Sequence, residues 1–367
     1  MKRNFYKGEH EFSLRLSASA IEQYSKCPFS FFLSRGLRPE ERRPFKVDMR
    51  SIGDIYHECM RSVSSSLTKR GTAVTSEESP WMNITKEECS KLVSRSIDSF
   101  SDYYREGVFD LSQRERYTKQ RIEEICLESV WLMISQVRAG NIKAIYFERI
   151  FGNSDTAMFP GISIELDDGN IVVIEGKIDR VDVIEGEDGN YVKIIDYKSG
   201  YEKFDIEEVE AGWRLQLMIY LRGAMGGIKD SKPAGVFYFR IDEADADVKD
   251  VGPEEVESKV LESFRETCRL DGIFLEEETV ISGLDGGFEN KSYIVNLRRN
   301  KDGTPVSARM LKHEDFERLI EITDSNLHRA ASGIMQGIID VKPLKSKNSD
   351  ACKYCSGRSI CNIALRK

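Results

Sequence analysis

Residues 171–200 read Ile-Val-Val-Ile-Glu-Gly-Lys-Ile-Asp-Arg-Val-Asp-Val-Ile-Glu-Gly-Glu-Asp-Gly-Asn-Tyr-Val-Lys-Ile-Ile-Asp-Tyr-Lys-Ser-Gly. The run from Ile171 to Ile184 and the run Tyr191-Val-Lys-Ile-Ile195 are rich in β-branched residues, as strands are. Between them Glu185-Gly-Glu-Asp-Gly-Asn190 is a turn sequence, so the segment is expected to form a β-hairpin. Alternate residues of a strand face opposite sides of a sheet, which puts Asp196 and Lys198 on one face. If Asp188-Gly189 makes a two-residue turn, Asp179 stands opposite Lys198 and diagonal to Asp196. A register two residues different places it directly opposite Asp196. Under either register Asp179, Asp196 and Lys198 converge. Arg180, Asp182 and Tyr197 point the other way, so Asp182 is expected to partner Arg180 structurally.

Two carboxylates and an ammonium on one face suit a hard cation held by oxygens, with a phosphodiester as substrate. Mg²⁺ or Mn²⁺ prefers carboxylate, water and phosphate oxygens, and it can both activate a water and neutralise charge on the phosphate. Lys198 would position or stabilise the attacking hydroxide or the phosphate. The pattern Asp-x-Lys recurs at Asp230-Ser231-Lys232, Asp247-Val248-Lys249 and Asp340-Val341-Lys342. The copy at 196–198 differs from these in ending an apolar strand paired with another Asp-bearing strand.

At 367 residues with 40% hydrophobic content, the chain can bury one large core or two modest ones. It carries no secretory h-region at its start and no apolar run of membrane-spanning length, so a soluble, cytoplasmic protein without membrane attachment is expected. The net charge of −8 argues against bulk coating of nucleic acid. Charge is uneven, however. Residues 26–50 hold Lys26, Arg35, Arg38, Arg42, Arg43, Lys46 and Arg50, and residues 342–367 hold Lys342, Lys345, Lys347, Lys353, Arg358, Arg366 and Lys367.

The cysteines give a reason to bring these ends together. Cys352, Cys355 and Cys361 form Cys-x2-Cys-x5-Cys, and Cys27 precedes Pro28-Phe29. Four thiolates suit tetrahedral Zn²⁺ or an iron–sulfur cluster, and spacing alone does not separate the two. Cys59, Cys89, Cys126 and Cys268 lie singly in helical patterns and read as buried or incidental.

Outward from the hairpin, residues 1–16 read as a lead-in, with a helix from about Ala18 capped by Ser17 or Ser19. Helices are expected over 48–69, 85–105, 115–138, 206–226, 253–270 and 313–336. Strands are expected at 143–151, 160–166, 171–184, 191–197 and 234–241, with a short β segment at 292–298. Gly53 and His57 fall four apart on one helix face, as do Gln216 and Tyr220. Glu148 either joins a metal shell or stands exposed.

Gly53-x3-His57, Gly176-x2-Asp179-Arg180-x-Asp182, Asp196-Tyr197-Lys198 and Gln216-x3-Tyr220 occur in the order and approximate spacing of the RecB-type branch of the PD-(D/E)xK nucleases. Ser17-Ala-Ser-Ala-Ile-Glu-Gln-Tyr-Ser-Lys-Cys27-Pro-Phe-Ser-Phe-Phe with the carboxyl-terminal cysteines adds the iron–sulfur variant. From Ser17 to Cys361 the chain is most similar to the nuclease domains of the AddB-type helicase/deoxyribonuclease subunits. That resemblance implies a restriction-endonuclease-like α/β fold, a mixed sheet flanked by helices. It also implies a helical insertion and a four-cysteine iron–sulfur lobe joining the two ends. The nuclease domain would cover 17–367: a helical part at about 17–140, a nuclease core at about 141–245, and a helical and cluster lobe at about 250–367.

The same resemblance implies His57, Asp179, Asp196 and the backbone carbonyl of Tyr197 as ligands of Mg²⁺ or Mn²⁺, and Lys198 as catalytic lysine. Gln216 and Tyr220 would support the site and contact DNA. Cys27, Cys352, Cys355 and Cys361 would ligate a [4Fe–4S] cluster that helps hold DNA ends. The implied activity is exonucleolytic hydrolysis of single-stranded DNA ends, on the 5′-terminated strand, in double-strand break repair and recombination. The implied partner is an AddA-type helicase/nuclease subunit. No Gly-x4-Gly-Lys-Ser/Thr phosphate loop occurs; Gly176-Lys177 is followed by Ile178. The chain is therefore expected to be a domain of a longer subunit. A stand-alone exonuclease like the iron–sulfur CRISPR adaptation nucleases, or a non-catalytic DNA-end-binding scaffold, are the alternatives.

Overall fold

The computed structural model describes all residues except 1–4, 7–12, 40–48, 69–73, 106–108, 110–111, 248, 250–251, 253, 348, 362 and 364–367. The amino-terminal part contains β1 (Phe5–Tyr6), β2 (Ser13–Ser17), α1 (Ala18–Lys26), α2 (Pro28–Phe31), a π-helical turn (Phe32–Leu37), α3 (Met49–Leu67), α4 (Pro80–Asn83), α5 (Lys86–Arg105) and α6 (Gln113–Ala139). The middle part contains β3 (Ala144–Phe151), β4 (Ile162–Glu165), β5 (Ile171–Gly186), β6 (Gly189–Lys198), α7 (Ile206–Glu210), α8 (Gln216–Gly227) and β7 (Ser231–Arg240). Then follow α9 (Val256–Thr267), β8 (Asp271–Leu275), α10 (Glu278–Asp285), β9 (Arg298–Arg299), β10 (Pro305–Val306), β11 (Met310–Leu311), α11 (His313–Met335) and α12 (Arg358–Cys361).

Local chemistry starts the helices where side chains can satisfy their free backbone donors. Ser17 Oγ accepts from the Ala20 N–H at 3.2 Å and begins α1. Thr85 and Glu88 exchange hydrogen bonds between side chain and backbone, a capping box that begins α5.

The hairpin register sets Arg180 opposite Ile195 and Gly186 opposite Gly189, so the turn is Glu187-Asp188. Of the two registers considered, this is the one that, continued by a pair, levels Asp179 with Asp196. β5 is the axis of the sheet. Its first half pairs with β2 and β4, its second half with β3 and β6, and the order runs β1-β2-β5-β6-β7-β8-β11. The pairs β2–β5, β6–β7 and β8–β11 are parallel and the other pairs of this sheet antiparallel, giving the expected mixed sheet.

Helices cover both faces. On one, Met133 of α6 accepts from the Tyr197 hydroxyl, and α10 lies so close that a side chain on Gly283 would strike Ile184. On the other, α8 packs on β6 and β7 while α1 reaches β5. Gly176 marks the point where β5 changes neighbours. A Cβ there would come within 2.9 Å of the Phe151 ring, so glycine permits the contact.

Three expectations need correction. The lead-in over 1–16 is not all linker, because Ser13–Ser17 is a strand of the main sheet, parallel to β5. The sheet does not stop near 245 either, since β8 and β11 extend it through the segment assigned to a helical lobe. The single helix expected over 206–226 is two. Gly212 takes a left-handed backbone (φ 88°), and Asn326 of α11 donates to the Val209 and Glu210 carbonyls at the end of α7. Around 292–298 only isolated bridges and the two-residue β9 form.

Candidate active site

The site lies where β3, β5 and β6 run side by side, facing α3 and α8. The β3–β5 register pairs Phe147 with Arg180 and Arg149 with Ile178, which sets Glu148 against Asp179. Three carboxylates, Glu148, Asp179 and Asp196, thus lie abreast on successive strands. Asp179 and Asp196 are buried, and Glu148 has 9% of its side chain exposed. His57 reaches them from α3, its Nδ1 3.4 Å from Asp179 Oδ2 and 3.8 Å from Glu148 Oε1. Its ring stands edge-on to Tyr197. Asp179 Oδ2 also accepts from the Tyr197 backbone N–H at 2.9 Å, which fixes the carboxylate across the hairpin.

Lys198 completes the chain of contacts. Its Nζ lies 2.5 Å from Asp196 Oδ2 and donates to Gln216 Oε1 at 3.1 Å. Gln216 in turn donates through Nε2 to the Tyr220 hydroxyl at 2.8 Å, and its backbone N–H donates to Glu22 of α1 at 2.8 Å. The helical pair therefore holds the lysine rather than merely packing. On the opposite face of the hairpin, Arg180 makes a two-pronged pair with Asp182 at 2.7 Å and 2.7 Å, joined by Lys193 at 2.7 Å, all buried. Asp182 is a structural residue, as strand parity required.

The electrostatics fit a cation site. Burial, then the charge of Asp179, pushes the Asp196 carboxyl up to about 7 despite Lys198. Burial opposes charge on His57, but Asp179 and Glu148 outweigh it and raise the imidazole to about 10. Lys198 is likewise raised: burial disfavours its ammonium, and Asp196 more than compensates. Lys198 and His57 thus sit against a crowded cluster of carboxylates, the setting in which a divalent ion is held. Among the described residues, His57, Glu148 and Asp179 offer ligand atoms all within 4.8 Å of one another. The donor set of one imidazole and several carboxylates suits Mg²⁺ or Mn²⁺.

Residues 15–362 match the model of the PD-(D/E)XK nuclease superfamily. The chain belongs to this superfamily. It is 32% identical over 368 residues to the B subunit of the ATP-dependent helicase/deoxyribonuclease of Thermoanaerobacter sp. (strain X514), covering 98% of this chain and 30% of that protein. The protein of the same name from Alkaliphilus metalliredigens is 31% identical over 367 residues, with 98% and 31% covered. That from Alkaliphilus oremlandii is 29% identical over 360 residues, with 96% and 30% covered. The chain thus spans about three-tenths of the length of these relatives.

Within this PD-(D/E)XK chain the four cysteines named from sequence come together. Cys27, Cys352, Cys355 and Cys361 line one small cavity beside Phe29, Ser30 and Pro343. Backbone bonds flank it: Leu344 N–H donates to Lys26 C=O at 2.8 Å, and Phe29 N–H to Asp340 C=O at 3.2 Å. Four cysteines lining one cavity, none in a disulfide, are the donor type of a metal group held by four thiolates. Cys59, Cys89, Cys126 and Cys268 are buried in helical surroundings. Of the basic residues expected to merge nearby, Arg42, Arg43, Lys46, Arg366 and Lys367 lie outside the described residues, as does the side chain of Arg50. Lys26 pairs with Glu22 and lies over the Trp213 ring, and Lys345 pairs with Asp350.

Two residues of the site were not assigned from sequence. Glu22 supports the start of α8, and nothing in α1 singles it out. Glu148 was left open, and it is a half-buried member of the acidic row. Its signal is positional, for it becomes visible once β3 is registered on β5. Among the described residues no helix is long and apolar enough to cross a membrane.

Proposed function

We propose that this chain hydrolyses phosphodiester bonds at single-stranded DNA ends, using Mg²⁺ or Mn²⁺. The ion would be held by His57, Glu148, Asp179 and Asp196, with the Tyr197 carbonyl as a further ligand. Bound there, it would lower the pKa of the attacking water and neutralise charge on the phosphate. The single observation that carries this reading is a cleft lined by His57, Glu148, Asp179, Gln216 and Tyr220, with Gln216 bonded to Lys198 and Lys198 paired with Asp196.

The side chains divide the work. Lys198, paired with Asp196, would act as a positive charge toward a phosphate oxygen or hydroxide. Gln216 and Tyr220 aim that charge, and Asp196 anchors it from the other side. Asp179, locked by the Tyr197 N–H, keeps its second oxygen available for an ion. In the cysteine lobe, Cys27, Cys352, Cys355 and Cys361 would hold a [4Fe–4S] cluster that ties the ends of the domain and presents them to DNA.

The relatives' name, which makes each a component of an ATP-dependent helicase/deoxyribonuclease, supports the wider reading. In it the chain is the nuclease part of an AddB-type protein, cutting the 5′-terminated strand at double-strand breaks beside an AddA-type partner in the cytoplasm. The test is cleavage of a labelled single-stranded oligonucleotide by the purified chain with Mg²⁺ or Mn²⁺. Lys198→Ala and Asp196→Ala should each slow cleavage by roughly a hundredfold or more while leaving oligonucleotide binding nearly unchanged. If the intact wild-type protein binds DNA ends but cuts none, the scaffold reading replaces this one.

A further inference from the structure

We infer that Tyr201 is a base-stacking residue that receives an unpaired nucleobase next to the phosphate held at Lys198, and so selects single-stranded substrate. The inference rests on the nuclease reading above. Tyr201 follows Lys198 by three residues, a chain reach of at most about 11 Å, and is 65% exposed. Two cations from separate segments flank its ring: the Arg240 guanidinium at 5.3 Å and the Lys203 ammonium at 5.4 Å from the centroid. Among the described residues the other markedly exposed tyrosines, at 117, 293 and 354, do not show this pairing of two cations.

One of these cations is tied to the strand end that bears Lys198. Arg240 is the β7 register partner of Lys198, and the next residue, Ile241, donates its N–H to the Lys198 carbonyl at 2.8 Å. Asp242 pins the guanidinium. The loop bearing Tyr201 is anchored at its far end, where the Phe204 N–H donates to Asp271 at 2.7 Å and its carbonyl accepts from Arg309 at 2.9 Å. Tyr201 thus stands on an anchored loop and lines an open groove of mixed charge, in which Arg214 is paired with Glu202 and Glu208 and Arg309 with Asp271, while Asp205 and Glu207 also face it.

An exposed aromatic ring with cations close by is an element from which single-strand channels are built. Every base has a face to stack, and the cations meet the adjoining phosphates. Lys203 is exposed and flexible, so it can yield a ring face to a base while its ammonium turns to the backbone. A paired base offers no free face, so a duplex forgoes the contact.

Steady-state cleavage of a single-stranded oligonucleotide, with wild type, Tyr201→Phe and Tyr201→Ala, tests this. Tyr201→Ala should raise KM by roughly five- to hundredfold with little change in kcat, and Tyr201→Phe should restore the wild-type KM. An equal KM for wild type and Tyr201→Ala would overturn the inference, and so would a Tyr201→Phe variant as poor as Tyr201→Ala. Absence of cleavage by wild type would instead defeat the nuclease reading. A melting curve of Tyr201→Ala matching wild type confirms that the KM reports substrate and not misfolding.

Discussion

Glu148 has a left-handed backbone (φ 51°) inside a strand, a conformation that costs a non-glycine residue roughly 1–3 kcal/mol. The surrounding register holds it there, and the result is a third carboxylate beside Asp179 and within 3.8 Å of His57. Strain retained at the end of the acidic row, on the side of His57, is consistent with use as a metal ligand. Glu148→Ala should weaken Mn²⁺ binding, by roughly tenfold or more in a calorimetric titration. An unchanged affinity would remove Glu148 from the shell. Asp179, Asp196 and Lys198 were readable in the sequence because strand parity is strict. Glu148 was not, because its neighbour Arg149 blurs the alternation and its own backbone departs from the extended form.

The hairpin formed by β5 and β6 owes its position to what lies beneath the site as well as in it. Arg180, Asp182 and Lys193 are buried together, and removing one charge leaves the others uncompensated. Asp182→Ala should therefore cost about 3–5 kcal/mol, lowering the melting temperature by roughly 5 °C in a thermal scan. The acid limb follows from the same cluster. Burial disfavours the Asp182 carboxylate, but Arg180 and Lys193 outweigh it and hold the group below its ordinary value. Its stabilisation is present above the unfolded-state pKa of about 4 and is lost as pH falls through the lower folded-state value. Asp182→Asn should flatten that part of the stability–pH curve; an equally steep loss would place its cause elsewhere. The long strands were legible because apolar, β-branched runs announce themselves. Asp271–Leu275 was missed because a five-residue strand opening with Asp-Gly carries little pattern, and the break at Gly212 was missed because its cause, Asn326, lies more than a hundred residues away.

At the scale of the molecule, Cys27 and the distant Cys352–Cys361 segment line one cavity, while the sheet and the acidic site are built from the sequence between them. Cysteine spacing made that closure readable, since Cys27 alone means little but completes a set of four. If an iron–sulfur cluster closes the lobe, the purified chain is brown and carries about four iron atoms. Cys355→Ser should lose both and unfold at lower temperature, whereas Lys198→Ala should keep both. A colourless, zinc-loaded wild type would contradict the cluster while leaving the closure intact. The central claim concerns the acidic row, and its most direct measurement is anomalous diffraction from crystals soaked in Mn²⁺. The account predicts a peak bounded by Asp179, Glu148 and His57, with Asp196 and Lys198 beside it. An active enzyme whose Mn²⁺ lies elsewhere, with this cluster empty, would contradict it.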